Sequence, residues 1–260
     1  MTPKRIMAIV NQKGGVGKTT TAINLAAALS EREQRVLLID MDPQGNASTG
    51  LGIDRQDRSR STYHVLTDGL PLDEGIRATR VRGLHILPSH PDLAAAELEI
   101  GTEDGRTRRL SDAIRNANSV FDYVLIDCPP SLNLLTLNAL AAARSIVVPL
   151  QCEFFALEGL SQLLKTVEMA KDTINPKLAI DGVLLTMHDK RNRLSVQVAD
   201  DVRRHLGRAV FDTVIPRNVR IAEAPSFSEP VTTYDPSSQG AKSYRRLARE
   251  ILRKHAARVR

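Results

Sequence analysis

The sequence predicts an α/β fold: one doubly wound, mainly parallel sheet with helices on both faces, forming a single domain over residues 1–260. Three observations carry that prediction. Short apolar runs alternate with helical patterns from end to end, an order that folds as strand–helix–strand crossovers rather than as hairpins. Two runs, Val36–Asp40 and Tyr123–Asp127, stay apolar until a terminal acid, as strands covered on both faces do. A hydrophobic content of 42% over 260 residues supplies a full core without disulfide support.

The first strand candidate, Arg5–Val10, runs directly into Asn11-Gln12-Lys13-Gly14-Gly15-Val16-Gly17-Lys18-Thr19-Thr20. Gly17-Lys18-Thr19 closes a phosphate-binding loop of the form G-x-x-x-x-G-K-[ST]. In such a loop backbone N–H groups cradle phosphates, the lysine reaches the outer ones and the hydroxyl holds Mg²⁺. The loop opens a helix from Thr19 to about Ser30, whose positive dipole end favours a polyphosphate. Gln12 stands where the motif has its first glycine, and a second lysine, Lys13, follows it. A dinucleotide fingerprint is excluded, because counting from Gly15-Val16-Gly17 puts Thr20 at its closing glycine.

The second strand, Val36–Asp40, leads into Met41-Asp42-Pro43-Gln44-Gly45-Asn46, placing two acids and a turn where open α/β sheets present ligand groups. A ribose-binding role for Asp40 needs the glycine pattern that fails above, and Asp42 before Pro43 also suits a plain turn. Gly50 to Gly83 mixes Arg, Asp, Gly and Ser around a short helical piece at Thr62–Leu66 and reads as a surface excursion near the nucleotide. Leu84–Leu87 is the third strand. Tyr123–Asp127 follows, with Asp127 as the expected Mg²⁺-side carboxylate and Pro129-Pro130 turning the chain away. Ser145–Leu150, Ile180–Thr186 and Phe211–Ile215 complete the strands.

Near the C-terminus, Tyr244, Leu247, Ala248, Ile251 and Leu252 recur at helical spacing. They predict a helix over about 239–258 with its basic residues outward. A net charge of +6 and a pI near 9.5 favour a polyanionic partner. The bases cluster at Lys190-Arg191-Asn192-Arg193, at Arg217 and Arg220, and from Lys242 through Arg245 and Arg246 onward; any one of them also suits a solvated face. No run approaches the ~20 apolar residues of a membrane span. Met1-Thr2-Pro3-Lys4-Arg5 lacks a signal-peptide core. Cys128 and Cys152 fit a reducing cytoplasm, without the spacing that holds an iron–sulfur cluster.

Lys13-Gly14-Gly15-Val16-Gly17-Lys18-Thr19 resembles the deviant Walker A motif of the ParA/MinD group of P-loop ATPases. From Ile9 to Ala241 the resemblance narrows to the ParA/Soj branch. It is carried by Asp42-Pro43-Gln44-Gly45-Asn46-Ala47, Asp127-Cys128-Pro129-Pro130-Ser131-Leu132, Ala156-Leu157-Glu158-Gly159-Leu160, Leu185-Thr186-Met187 and Ile215-Pro216-Arg217-Asn218-Val219-Arg220-Ile221-Ala222-Glu223-Ala224-Pro225-Ser226. The resemblance implies an ATPase with ATP and Mg²⁺ as cofactors. It places Lys13, Gly14, Gly15, Val16, Gly17, Lys18, Thr19 and Thr20 on the phosphates and Pro216, Asn218 and Met187 at the adenine. Lys13, Lys18 and Asp42 are the implied catalytic residues, Lys13 acting across a dimer interface and Asp42 on the attacking water; Thr19, Asp40 and Asp127 surround the metal.

The resemblance further implies a homodimer when ATP-bound, nonspecific binding of double-stranded DNA, and a ParB/Spo0J-type centromere-binding protein as stimulating partner. A cytoplasmic, nucleoid-associated protein is expected. Arg191 and Arg220 match basic positions implicated in DNA binding in the family, and Arg217, Lys242, Arg245 and Arg246 are further candidates. With the first strand so near Met1, no helix-turn-helix extension of the kind some plasmid partition ATPases carry is expected. The alternative is a MinD-like membrane-associated ATPase. It is disfavoured because only Ala256, Ala257 and Val259 follow Leu252 as apolar residues, with nothing large to insert into lipid. A non-hydrolysing scaffold would not need Lys13, Lys18, Asp42 and Asp127 together.

Overall fold

The computed structural model describes residues 5–257. Its core is a seven-stranded sheet in the order β3–β4–β2–β5–β1–β6–β7. The strands are β1 (Arg5–Ile9), β2 (Val36–Asp40), β3 (Arg77–Ala78), β4 (Leu84–Leu87), β5 (Tyr123–Asp127), β6 (Ser145–Gln151) and β7 (Ala179–Thr186). Every pairing is parallel except that of β3 with β4.

Period-2 alternation divides the core. Met7, Ile9, Leu38 and Leu125 face one layer, packed against α1 (Lys18–Ser30) and the C-terminal helix Gln239–Ala257. Ala8, Leu37, Ile39 and Ile126 face the other, against Leu110, Leu135, Leu160 and Val202 from four further helices. Helices on both faces are why the central strands carry no polar stripe. In the C-terminal helix Tyr244, Leu247, Ala248 and Ile251 are buried, while Lys242, Arg246, Arg249 and Arg253 face outward. Residue 258, at the expected end of that helix, lies outside the described residues. No helix among them is long and apolar enough to cross a membrane.

Two expectations are corrected. Phe211–Ile215 is not a strand: isolated bridges flank it, Val183 with Val210 and His188 with Pro216, and only its two ends bond to β7 and to His188 beyond it, through Phe211 N on Val183 O (3.0 Å), Ile215 N on Leu185 O (2.9 Å) and His188 N on Ile215 O (3.1 Å). The Asp212 and Thr213 N–H groups, which a ladder would use, donate instead to the Glu250 carboxylate at 2.8 and 3.0 Å. The Gly50–Gly83 segment is not a mere surface excursion. It contains helices Thr62–Thr67 and Leu72–Gly75 and the short strand β3, and it sends Val65, Leu66 and Leu72 into the core. Its apolar residues are few, yet these three share one core cluster with Ile39 and Leu87.

Candidate nucleotide site and basic surface

Parallel register aligns Asp40 with Asp127 across β2 and β5, and Ile9 with Asp127 across β1 and β5. Three strands therefore end together, and the glycine loop after β1 lies over two acids. The loop is held from both sides. Asn11 Nδ2 donates to Pro149 O (2.7 Å), Lys13 N donates to Asn11 Oδ1 (3.0 Å), and Thr186 Oγ1 donates to Val16 O (2.9 Å). Gly15 and Gly17 take φ of 76° and 88°, left-handed values that cost a side chain about 1–2 kcal/mol. α1 starts at Lys18 with no side-chain cap and no acid in its first turn, so its leading N–H groups are open to an anion.

The two lysines leave this loop differently. Lys18 is buried, and its Nζ donates to Lys13 O at 2.9 Å. Burial lowers its pKa, opposed by the nearby Asp127 and Asp42 carboxylates. Lys13 is exposed and pairs with Glu153, just beyond β6. Gly14, also exposed, has nothing within 4 Å of where a Cβ would stand.

Asp127 is fully buried, and neither carboxylate oxygen completes a hydrogen bond. Its pKa is held well above the ordinary carboxylate value, first by burial and then by Asp40; the Thr19 hydroxyl nearby favours the ionised form without offsetting this. Asp40 is pushed to about 6, chiefly by burial. Its oxygens are engaged: Oδ1 accepts from Asp42 N (3.2 Å), and Oδ2 accepts from Ser48 N (2.8 Å) and Ser48 Oγ (2.6 Å). Asp40 thus shapes the turn that carries Asp42. That turn is closed by Gly45 N on Asp42 O (2.9 Å) and gripped by Ser89 Oγ on the same carbonyl (2.6 Å).

Two buried carboxylates side by side, one orphaned beside a threonine hydroxyl, fit a small hard cation that takes oxygen ligands. No cluster of three His, Cys, Asp or Glu side chains suited to a metal occurs among the described residues. A cation here would therefore complete its shell with ligand oxygens and water, as Mg²⁺ does. The thiols do not compete for that role. Burial raises the Cys128 pKa well above its usual value and that of Cys152 to about 11, as expected of inert buried thiols.

Beside the loop opens a cavity of about 360 Å³ lined by Gly17, Thr20, Met187, Pro216, Asn218 and Tyr244, among others. Met187, Pro216 and Asn218, expected at the adenine, thus meet next to the first turn of α1. Met187 holds φ of 50°, the backbone strain typical of ligand sites. The Asn218 Oδ1 accepts from Ile221 N and caps the helix Val219–Glu223.

Of the candidate DNA residues, Arg191, Arg217, Arg220, Lys242 and Arg246 are exposed. Arg191 pairs with Asp189 (3.3 Å), and Arg220 with Glu223 (2.9 Å) and Asp235 (3.4 Å). Arg245 departs from the expectation of a free basic residue. It forks onto Glu31 at 2.6 and 2.9 Å and donates to Pro236 O (2.6 Å) and Thr232 O (3.0 Å). This ties the C-terminal helix to the residue after α1. Sequence reasoning also passed over Asn11, Ser48, Arg58, Ser89, Glu153 and Thr186, whose side chains hold the loop, the Asp42 turn and Lys13. No local pattern marks such residues, since their partners are brought to them by the fold, from 5 to 13 positions away for Arg58 to 170 for Thr186.

A central phosphate loop that opens a helix, with buried acids ending the adjacent strands, defines a P-loop nucleoside triphosphatase. A family model described as an AAA domain matches residues 4–180. The chain is 56% identical over 252 residues to the chromosome partitioning protein ParA of Caulobacter vibrioides, covering 96% of this chain and 94% of that protein. It is 50% identical over 247 residues to the sporulation initiation inhibitor protein Soj of Bacillus subtilis, covering 95% and 98%. Among solved structures, a Mycobacterium smegmatis protein named cobyrinic acid a,c-diamide synthase, with bound ATP analog and magnesium, matches with TM-score 0.86 and 38% identity over 98% and 96% of the two chains. The cell division ATPase MinD of Pyrococcus furiosus matches with TM-score 0.80 and 29% identity over 96% and 99%. The chain belongs to the ParA/Soj family of partitioning ATPases.

Proposed function

We propose that the whole chain acts as a single deviant Walker A ATPase domain that binds ATP and Mg²⁺ at the end of β1. It closes into a homodimer around two nucleotides, binds double-stranded DNA nonspecifically as that dimer, and releases it after hydrolysis. Chromosome origins or plasmids are the cargo, and a ParB/Spo0J-type centromere-binding protein stimulates turnover. This places the protein in the cytoplasm, on the nucleoid. The observation that carries the reading is the divergence of the two lysines: Lys18 is buried above the acids, whereas Lys13 lies outward beside an open Gly14. A cation presented at the surface neutralises phosphoryl charge only when a second subunit meets it.

In the chemistry, the N–H groups of Gly14 to Thr20 cradle the phosphates and Lys18 neutralises the outer ones. Thr19 and Asp127 would hold Mg²⁺, with Asp40 supporting that shell through the Asp42–Ser48 segment. When bound, Mg²⁺ would supply positive charge that offsets the charge developing on the phosphates. Asp42 orients the attacking water, and Lys13 of the opposite subunit stabilises charge on the transferring group. Met187, Pro216 and Asn218 enclose the adenine. Arg191, Arg217, Arg220, Lys242 and Arg246 supply phosphate contacts to DNA. The C-terminal helix supports DNA over lipid, because its apolar side is spent on the core and its outer side carries Lys242, Arg246, Arg249 and Arg253.

Sedimentation tests the dimer. Parent and Asp42→Ala protein are expected to sediment as dimers with ATP and as monomers with ADP; an Asp42→Ala protein that stays monomeric with ATP refutes the separation of dimerisation from chemistry.

A further inference from the structure

Arg58 lies in the segment after the Asp42 turn and is only 2% exposed. Among the described residues its donors meet two carbonyls and a hydroxyl. Nη2 donates to Ile53 O (2.7 Å) and Thr49 Oγ1 (2.8 Å), Nε to Ile53 O (3.3 Å), and Nη1 to Gly45 O (3.4 Å). Gly45 is the closing residue of the Asp42 turn. It takes φ of 64°, and a Cβ there would overlap Arg58 Nη1.

Burying a guanidinium is costly, and an apolar side chain of similar volume would fill the space without that cost. What an apolar group cannot do is fix three acceptors at once. The rigid fork of arginine does so, joining the turn at Gly45, the helix Asn46–Gly50 at Thr49, and the following loop at Ile53. Burial lowers the Arg58 pKa, and the Asp40 carboxylate opposes that by favouring the charged form.

We propose that Arg58 is a positioning residue for ATP hydrolysis: by clamping the Gly45 end of the turn it keeps the Asp42 carboxylate facing the attacking water. This rests on the role of Asp42 proposed above. Arg58 acts on the Asp42 geometry and not on the phosphates, so its loss slows hydrolysis and spares nucleotide binding. A lysine fits the same volume, but its single ammonium cannot span Gly45 O, Thr49 Oγ1 and Ile53 O together.

The experiment compares single-turnover ATP hydrolysis, ATP affinity and thermal stability in the full chain for parent, Arg58→Lys, Arg58→Ala and Asp42→Ala proteins. Arg58→Lys is expected to lose about 10–100-fold in hydrolysis rate, the effect of a small misplacement of a reacting group, with ATP affinity nearly unchanged. Added guanidinium ion at low millimolar concentration is expected to restore part of the rate in Arg58→Ala and none in Asp42→Ala. Should Arg58→Ala fail to fold, the Arg58→Lys measurement decides alone. Parental hydrolysis by Arg58→Lys, or an equal loss of rate and ATP affinity, overturns the proposal. Hydrolysis at the parental rate by Asp42→Ala overturns the Asp42 reading itself, whereas an inactive Asp42→Ala beside a fully active Arg58→Lys removes only the inference about Arg58.

Discussion

Acidification is expected to stabilise the nucleotide-free protein, the reverse of ordinary acid denaturation. Asp40 has a folded pKa of about 6 against an ordinary 3.8, so the folded state takes up this proton first. Stability therefore rises as pH falls through 6 and levels off near 4. The gap 6 − 3.8 = 2.2 pH units corresponds to about 3 kcal/mol, or roughly 6–12 °C in Tm for a chain of this size. Asp127, also raised by burial, adds in the same direction. Growing positive charge opposes both, so the comparison is with Asp127→Asn, which removes the repulsion between the two acids. The assay is thermal unfolding in chelator from pH 7.5 to 4.5, repeated with ATP and Mg²⁺. Parent protein should show a rising Tm, Asp127→Asn a flatter profile, and the loaded parent a flat one, because a bound cation keeps the carboxylates ionised. A parent Tm that stays level or falls, or that rises in parallel with Asp127→Asn, refutes the account of two buried acids awaiting a cation.

Lys18→Ala is expected to abolish ATP binding in equilibrium titration, since the outer phosphates lose their buried point charge. Lys13→Ala should bind ATP as a monomer like the parent but weaken the ATP-dependent dimer or its hydrolysis, read by sedimentation and phosphate release. Gly14→Val should fold with parental Tm and ATP affinity, because a Cβ there has nothing within 4 Å, and should stay monomeric with ATP in sedimentation. Arg246→Glu should weaken DNA retardation without a change in Tm. Arg245→Glu should instead lower Tm, because it sets a like charge against Glu31 and removes the hydrogen bonds to Pro236 O and Thr232 O.

The central strands and the loop were legible because fully covered parallel strands need uninterrupted apolar runs and a phosphate loop needs glycines and Lys-Thr in fixed order. β2, β4 and β5 fall at their expected bounds, and β1, β6 and β7 within a residue. Legibility failed where partners are distant. Phe211–Ile215 has strand composition, but Glu250, 37 and 38 positions away in sequence, takes the N–H groups of Asp212 and Thr213 in its middle. Arg245 was expected on the outward basic surface and Arg58 was not singled out, since burial of an arginine depends on carbonyls and acids that only the fold assembles. The site residues Met187, Pro216 and Asn218 were reached through family resemblance; composition alone gave a polar turn after an apolar run.

The central claim is that ATP switches DNA binding on by pairing two basic surfaces. Duplex retardation with ATP and with ADP across a salt series measures it most directly. Each phosphate neutralised contributes a logarithmic slope of roughly −0.9, so the ATP-bound dimer should bind tightly with a visibly steeper slope than the ADP form. Arg191→Glu/Arg220→Glu protein should lose binding to every sequence alike while still forming the ATP dimer. Equal affinity and slope in both nucleotide states, or parental binding by that double variant, would contradict the account.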